Sequence, residues 1–187
     1  MLSDFDLMNL IKSGRLMIQP FSEEIIRENG VDLRLSDEIG RHNDLGKDFV
    51  LDPSDDVAIS KTYSLTKSPV LLIGPSEQVL LSTYEYVEMP DDLMGFVELR
   101  STWARHGLSI PPTIVDAGFK GTITLEVVNN APYGIALKPL MRFAHVVFAR
   151  TLSKVDKSYS GFYSGQRGIR LPKKVRVLHE NNLVSPE

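Results

Sequence analysis

Two periods organise the apolar positions of the chain. Near the N-terminus they recur every three to four residues, so Leu7, Leu10 and Ile11 share one face of a predicted helix. Ser3 is placed to cap that helix and Asp6, three residues on, to complete a capping box. Leu2 can staple onto Leu7, and Gly14 ends the helix. A second short helix is expected from Ser22 through Glu23-Glu24-Ile25-Ile26, before Asn29-Gly30. From there the period is two. Val31-Asp32-Leu33-Arg34-Leu35 alternates, as does Thr122-Ile123-Thr124-Leu125-Glu126-Val127. Further strands are predicted at 70–73, 78–83, 84–89, 95–100, 134–138 and 141–151. Turn signals separate them at Gly74-Pro75, Pro90-Asp91-Asp92, Asn129-Asn130 and Lys138-Pro139. Many short strands at this spacing predict a mainly β fold, a distorted barrel or jelly roll with a short N-terminal helix. Residues 40–68 are the least patterned and are expected to hold a variable hairpin or loop, and the last eight or so residues to fray. No repeat, low-complexity stretch or linker interrupts the chain, so one domain over 1–187 is expected.

Composition narrows the chemistry. The 187 residues include no cysteine, which excludes disulfides, thiol nucleophiles, iron–sulfur clusters and thiolate zinc sites. No apolar run is long enough to span a bilayer, and Asp4 and Asp6 break any leader-like pattern; a cytoplasmic protein is expected. The net charge of −3 gives no bulk attraction to nucleic acid. That average hides an asymmetry. Residues 150–176 carry eight Lys or Arg against the single acid Asp156, a charge of +7, which leaves −10 for the remainder. Such a segment suits a compact polyanion such as a triphosphate, or is a solvated basic tail.

Three constellations could carry chemistry. In Arg100-Ser101-Thr102-Trp103-Ala104-Arg105, two arginines and two hydroxyls follow a predicted strand. Guanidinium forks and hydroxyls suit phosphate oxygens, and a helical turn starting there would add free N–H groups. The alternative is an exposed loop with Ser101 as a helix cap. In Val115-Asp116-Ala117-Gly118-Phe119-Lys120-Gly121, Asp116 leads a tight hairpin whose glycines let backbone approach a ligand. On the following strand Glu126 shares a face with Thr122 and Thr124. It points to solvent, or sits in a cavity with a raised pKa, where it could shuttle protons. In Tyr159 to Gly168, aromatics, glycines and Gln166 read as a flap that could stack on a base, or as a disordered tail. The histidines at 42, 106, 145 and 179 have no metal-ligand spacing, and His145 reads as a satisfied core or interface histidine. No P-loop, nucleophile elbow or dinucleotide fingerprint is present.

Taken in order, Arg100 to Arg105, Val115 to Gly121 and Thr124-Leu125-Glu126 resemble the archaeal dCTP deaminases of the dUTPase superfamily. Leu2 to Asp4, Ile18-Gln19-Pro20, Glu28 to Arg34, Phe143 to Leu152 and Tyr159 to Gly168 extend the resemblance to nearly the whole chain except about 40–68. The resemblance implies a β-clip subunit in a homotrimer, with active sites between subunits. It implies a magnesium-bound triphosphate as substrate, deamination of dCTP to dUTP without zinc, and dTTP or dUTP as possible further ligands. It makes Glu126 the proton shuttle that activates water for attack on C4. Ser101 and Arg105 would hold that water and polarise the base. Arg100, Ser101, Thr102, Trp103, Ala104 and Arg105 would bind phosphate, and Asp116 would lie beneath the deoxyribose. Thr124 and Leu125 would offer backbone groups to the base. Tyr159 and Gln166 would cover the nucleotide from a closing segment at 153–187.

Composition agrees with this reading. Zinc nucleobase deaminases need a Pro-Cys-x-x-Cys signature that a chain without cysteine lacks. The chain departs from the pattern at Phe162, where many relatives have lysine; Lys157, Arg167 or Arg170 could supply the missing cation. It also departs at 108–115, which is shorter than in bacterial relatives and contains Pro111-Pro112. The alternatives are a dUTPase or a bifunctional enzyme releasing dUMP and pyrophosphate, and a non-catalytic nucleotide-binding regulator.

Overall fold

The structure is a computed structural model and describes residues 1–176. His179 and the segment expected to fray lie outside that range. Ser3 caps α1 (Asp4–Lys12) through a complete capping box with Asp6, Leu7 and Leu10 are buried, and Gly14 takes φ +71° just past the end. The predicted second helix is a single 3₁₀ turn, Glu23–Ile25. It is short because Ile26 already adopts extended backbone and opens a hairpin around Asn29-Gly30.

Among the described residues there are fourteen strands. They begin with β1 (Met17–Gln19), β2 (Ile26–Arg27) and the long β3 (Gly30–His42). The segment 40–68 is more ordered than its sequence suggests. The end of β3 pairs with β4 (Tyr63–Lys67), and α2 (Asp56–Ser60) lies between them. Then come β5 (Leu71–Ile73), β6 (Gln78–Thr83), β7 (Tyr86–Glu88), β8 (Leu93–Leu99), α3 (Ser101–Arg105), β9 (Leu108–Ser109), β10 (Thr113–Val115) and β11 (Lys120–Gly121). The last are β12 (Thr124–Asn129), β13 (Ile135–Leu137) and β14 (Arg142–Arg150).

The main sheet runs β10-β8-β14-β3-β6-β12-β9, with β2 and β4 also on β3. β3 binds the two halves together. Its first residues pair with β14, and after an irregularity between Leu35 and Ile39 its later ones pair with β6 and β4. The sheet thereby curls into a half-barrel. Two smaller sheets, β1-β7-β11 and β13-β5, complete the fold. Inward residues of each strand meet in one apolar cluster, with Leu33, Leu81, Leu125, Phe143 and Phe148 almost wholly buried.

Asp32, 2% exposed, sits on β3 in the same sheet. His145 Nδ1 is 2.9 Å from its Oδ1 and Arg100 Nε 2.9 Å from its Oδ2. The histidine is thus satisfied, as its apolar strand suggested. Nearby, Trp103 Nε1 donates to the Arg142 carbonyl at 2.9 Å and its ring packs 5.7 Å from that of Phe143. Phe143→Ala would open a cavity under α3. We expect it to lower unfolding free energy by about 3–5 kcal/mol, read from the shift of the denaturant midpoint.

Candidate active site

The face of β12 opposite the core builds one wall of a cavity of about 440 Å³. Strand alternation sends Leu125 and Val127 inward and leaves Thr124 and Glu126 half-buried on the cavity side. Leu80, Ile114, Val115, Phe119 and Ile123 give the remaining walls an apolar character. Glu126 has no ion pair or side-chain hydrogen bond among the described residues. Its burial raises its pKa above the ordinary glutamate value. Of the two alternatives left by the sequence, solvent or cavity, the structure shows the cavity.

β12 also offers backbone. It pairs with β6 along 124–128 but with β9 only at Val128 and Asn129. The edge at Thr124 to Val127 therefore has no strand partner among the described residues, although Leu125 and Val127 are themselves buried.

Asp116 lines the same cavity, but it does not lead a hairpin. β10 pairs with β8 and β11 with β7, so the turn carries the chain from one sheet to another. The turn is tight: Phe119 N donates to the Asp116 carbonyl at 3.1 Å, and Gly118 has φ +81°. Gly118 also admits the C-terminal segment. A Cβ on it would stand 2.7 Å from Ser158 Cβ and 2.9 Å from Tyr159 N.

That segment is ordered along the body of its own chain. Tyr159 N donates to the Ala117 carbonyl at 3.0 Å and its ring lies 5.8 Å from that of Phe119. Gln166 Nε2 donates to the Thr122 carbonyl at 2.5 Å, and Thr122 N donates to the Gln166 carbonyl at 3.0 Å. Arg170 N donates to Thr124 Oγ1 at 3.0 Å. Tyr159, Gln166 and Arg170 line the cavity with Glu126, and the buried Gln166 Oε1 has no hydrogen-bond partner. The +7 charge is less concentrated than its sequence suggests. Lys174 pairs with Asp56 at 3.0 Å and Arg167 lies over the Tyr86 ring at 4.4 Å, away from the cavity. Arg170 reaches the cavity, with its guanidinium 4.5 Å from the centre of the Phe162 ring.

The Arg100–Arg105 segment stands elsewhere. Arg100, Ser101 and Thr102 line a separate depression with Arg27, Glu98 and His145. Arg100, not Ser101, is the N-cap of α3, and no side chain caps it. Ser101, Thr102, Ala104 and Arg105 are exposed, whereas Trp103 is half-buried. One chain thus brings together Glu126, Asp116, Thr124, Tyr159 and Gln166, and sets Arg100 to Arg105 apart from them. Sequence reasoning missed Tyr63, which also lines the Glu126 cavity, as does Tyr163 from the aromatic segment read as a flap. Alternation in Tyr63-Ser64-Leu65-Thr66-Lys67 was the available signal for Tyr63.

Residues 1–151 match the dCTP deaminase-like family. The chain belongs to that family. Among relatives, the dCTP deaminase of Saccharolobus solfataricus is 49% identical over 172 residues, covering 92% of this chain and 91% of its own. That of Pyrobaculum arsenaticum is 46% identical over 175 residues, covering 94% and 97%. The crystal structure of 2'-deoxycytidine 5'-triphosphate deaminase from Agrobacterium tumefaciens shares the fold. It matches with a TM-score of 0.61 at 16% identity, over 79% of this chain and 45% of that longer one. The family match spans the half-barrel and the Glu126 strand, and the matches to these relatives extend over most of the chain.

Gly118→Ala forces both a strained φ and a clash with the backbone of Tyr159. The expected result is a loss of about 1–3 kcal/mol in stability together with faster tryptic cleavage between Lys154 and Arg170, measured by mass spectrometry.

Proposed function

We propose that this chain is a dCTP deaminase that adds water to C4 of the cytosine and releases dUTP and ammonia. The observation that carries the proposal is Glu126, an unpaired carboxylate on a cavity wall with its proton affinity raised by burial. The reaction needs one group to accept and return protons. Ionised Glu126 takes a proton from water as the water oxygen bonds to C4, and passes it to N3. It then carries the proton of the new C4 hydroxyl to the amino group, which leaves as ammonia while the C4 carbonyl forms. A carboxylate whose pKa is displaced toward neutrality suits both transfers.

The remaining roles follow the cavity. Asp116 would support the deoxyribose, the free edge at Thr124 and Leu125 would meet the base, and Tyr159 and Gln166 would cover the nucleotide as part of a flap at 153–187. Ser101 and Arg105 would hold the water and polarise the base. They do not line this chain's Glu126 cavity, so we assign them to a second copy in a homotrimer whose sites are completed between subunits. Two features support that assembly. Ser101, Thr102 and Arg105 are displayed outward. Ile114 and Phe96, both exposed, and the half-exposed Val147 stand in one register row across β10, β8 and β14.

Among the described residues no group of three or more His, Asp or Glu is arranged to hold a metal ion. Magnesium belongs in this proposal to the substrate, carried on the triphosphate. Among the described residues no helix is long and apolar enough to cross a membrane.

Incubation with magnesium and dCTP tests the reaction. Accumulated dUTP and ammonia are expected; dUMP with pyrophosphate would reveal the bifunctional enzyme, in which Asp116 would also serve water attack on phosphorus; absence of turnover would overturn the proposal. Glu126→Gln should keep nucleotide binding and lower ammonia release by about 10²–10⁴-fold. The pH dependence has a definite sign. Glu126 must be ionised to accept the first proton, so kcat/KM should fall as pH drops through its raised pKa. The acid limb is therefore expected above the ordinary glutamate value, measured by ammonia release across a pH series.

A further inference from the structure

The Glu126 cavity has a neighbour. A second cavity of about 580 Å³ lies between the 42–62 segment and the C-terminal segment, with apolar walls from Leu45, Phe49, Leu51 and Ile59. Tyr63 and Pro172 line both cavities and so form the partition between them. Tyr63 is held from the far side. Its Oη lies 2.9 Å from His42 Nε2, and the two rings stack 4.1 Å apart at 34°. The two residues are register partners where the end of β3 meets β4.

Strand register puts Tyr63 on the same side of the sheet as Glu126. The row Leu65–Gly40–Leu80–Glu126 crosses β4, β3, β6 and β12, and Tyr63 stands two residues before Leu65. Gly40 puts no side chain between Leu65 and Leu80, and a Cβ there would come within 2.9 Å of Leu65 Cδ2. We infer that Tyr63, held by His42, is a positioning residue of this active site: its ring walls the Glu126 cavity off from the second cavity and keeps water from that side of the carboxylate.

The electrical surroundings fit a neutral wall. Burial, and then the nearby charge of Glu126, raise the Tyr63 phenol, which stays protonated at neutral pH. Around the first cavity the other ionisable groups are Asp116, Tyr159, Tyr163 and Arg170. Beyond the partition stand His42, Asp44 and Lys173. Changing Tyr63 leaves all of them in place and changes only what separates them from Glu126.

The inference deepens the deamination reading and rests on it for the kinetic readout alone. The test uses the full chain and two measurements. One is the ¹³C NMR titration of the Glu126 carboxyl, assigned by its loss in Glu126→Gln. The other is the acid limb of kcat/KM for dCTP. Tyr63→Ala should move both downward by about half a pH unit or more, because water then reaches Glu126 through the second cavity. Tyr63→Phe keeps the ring and should move them by less. His42→Ala frees the ring without removing it and should also lower the titration. Loss of a histidine charge alone would raise it, so the sign separates the two causes. His42→Ala carries the test should Tyr63→Ala fail to fold. An unchanged Glu126 titration in a folded Tyr63→Ala or His42→Ala protein would overturn the inference. Absence of dCTP turnover in the unaltered protein would overturn only the deamination reading, since the NMR titration still reports the wall.

Discussion

A carboxylate buried in a sheet is costly unless cations and donors meet it, and the placement of the outward-facing machinery follows from how Asp32 is met. His145 reaches it from β14 and Arg100 from the end of β8. Neither contact is local in sequence, so the carboxylate meets its partners only when β3, β14 and β8 lie side by side. The same contacts set where α3 begins. Arg100 N donates to the Phe143 carbonyl, and Trp103 then turns inward onto Phe143 and the Arg142 carbonyl. With Arg100 and Trp103 anchored, Ser101, Thr102 and Arg105 have only the outer surface left.

Three acids with little exposure show how partnership decides between structure and chemistry. Asp32 has His145 and Arg100. Glu85, fully buried, has Arg34, whose Nε lies 2.5 Å away and whose backbone N–H donates to it at 2.7 Å; burial still outweighs these contacts and raises its pKa. Each is locked in a bond that removing a proton partner would break. Glu126 faces a cavity without such a partner. Burial raises it, yet nothing fixes its proton in place. A group meant to accept a proton and return it within one turnover needs that combination of raised affinity and freedom. A cation bonded directly to Glu126 would oppose the effect of burial and tie the carboxylate to one partner, as Arg34 ties Glu85.

Much of this was legible wherever a local rule acts. Ser3 and Asp6 specify a capping box in four residues, and 78–83 declares a strand that forms with those bounds. Glu126, Asp116, Tyr159 and Gln166 could be named as candidates from motif order, and all four line one cavity. What was not legible depends on partners far away in the chain. Whether Asp116 leads a hairpin is decided by β10 choosing β8 and β11 choosing β7, which no turn signal encodes. Residues 40–68 looked unpatterned because half of β3's late pairing is with β4, whose side chains at 64–67 are largely exposed and so show no strong apolar contrast. The +7 segment illustrates the same limit. Charge can be counted along a sequence, but Arg167 on Tyr86 and Lys174 on Asp56 are matters of contact.

The C-terminal segment and the strand edge explain one another. The edge at 124–127 leaves main-chain donors and acceptors without a ladder partner, and such an edge is ordinarily a liability unless something covers it. Here the cover is partial. The 165–170 stretch bonds to Lys120, Thr122 and the Thr124 hydroxyl, with a parallel bridge between Gly121 and Gln166. It stops short of the main chain of Leu125. It also leaves Gln166 Oε1 buried without a hydrogen-bond partner among the described residues. A closed ladder over the whole edge would satisfy every group and leave nothing to recognise a base. Ending the zipper at Thr124 leaves, beside Glu126, a short run of backbone without a strand partner, which in the proposed reading the base would meet. The fold tolerates these unpaired groups because they are few, and in the proposed reading the site would select its base through them.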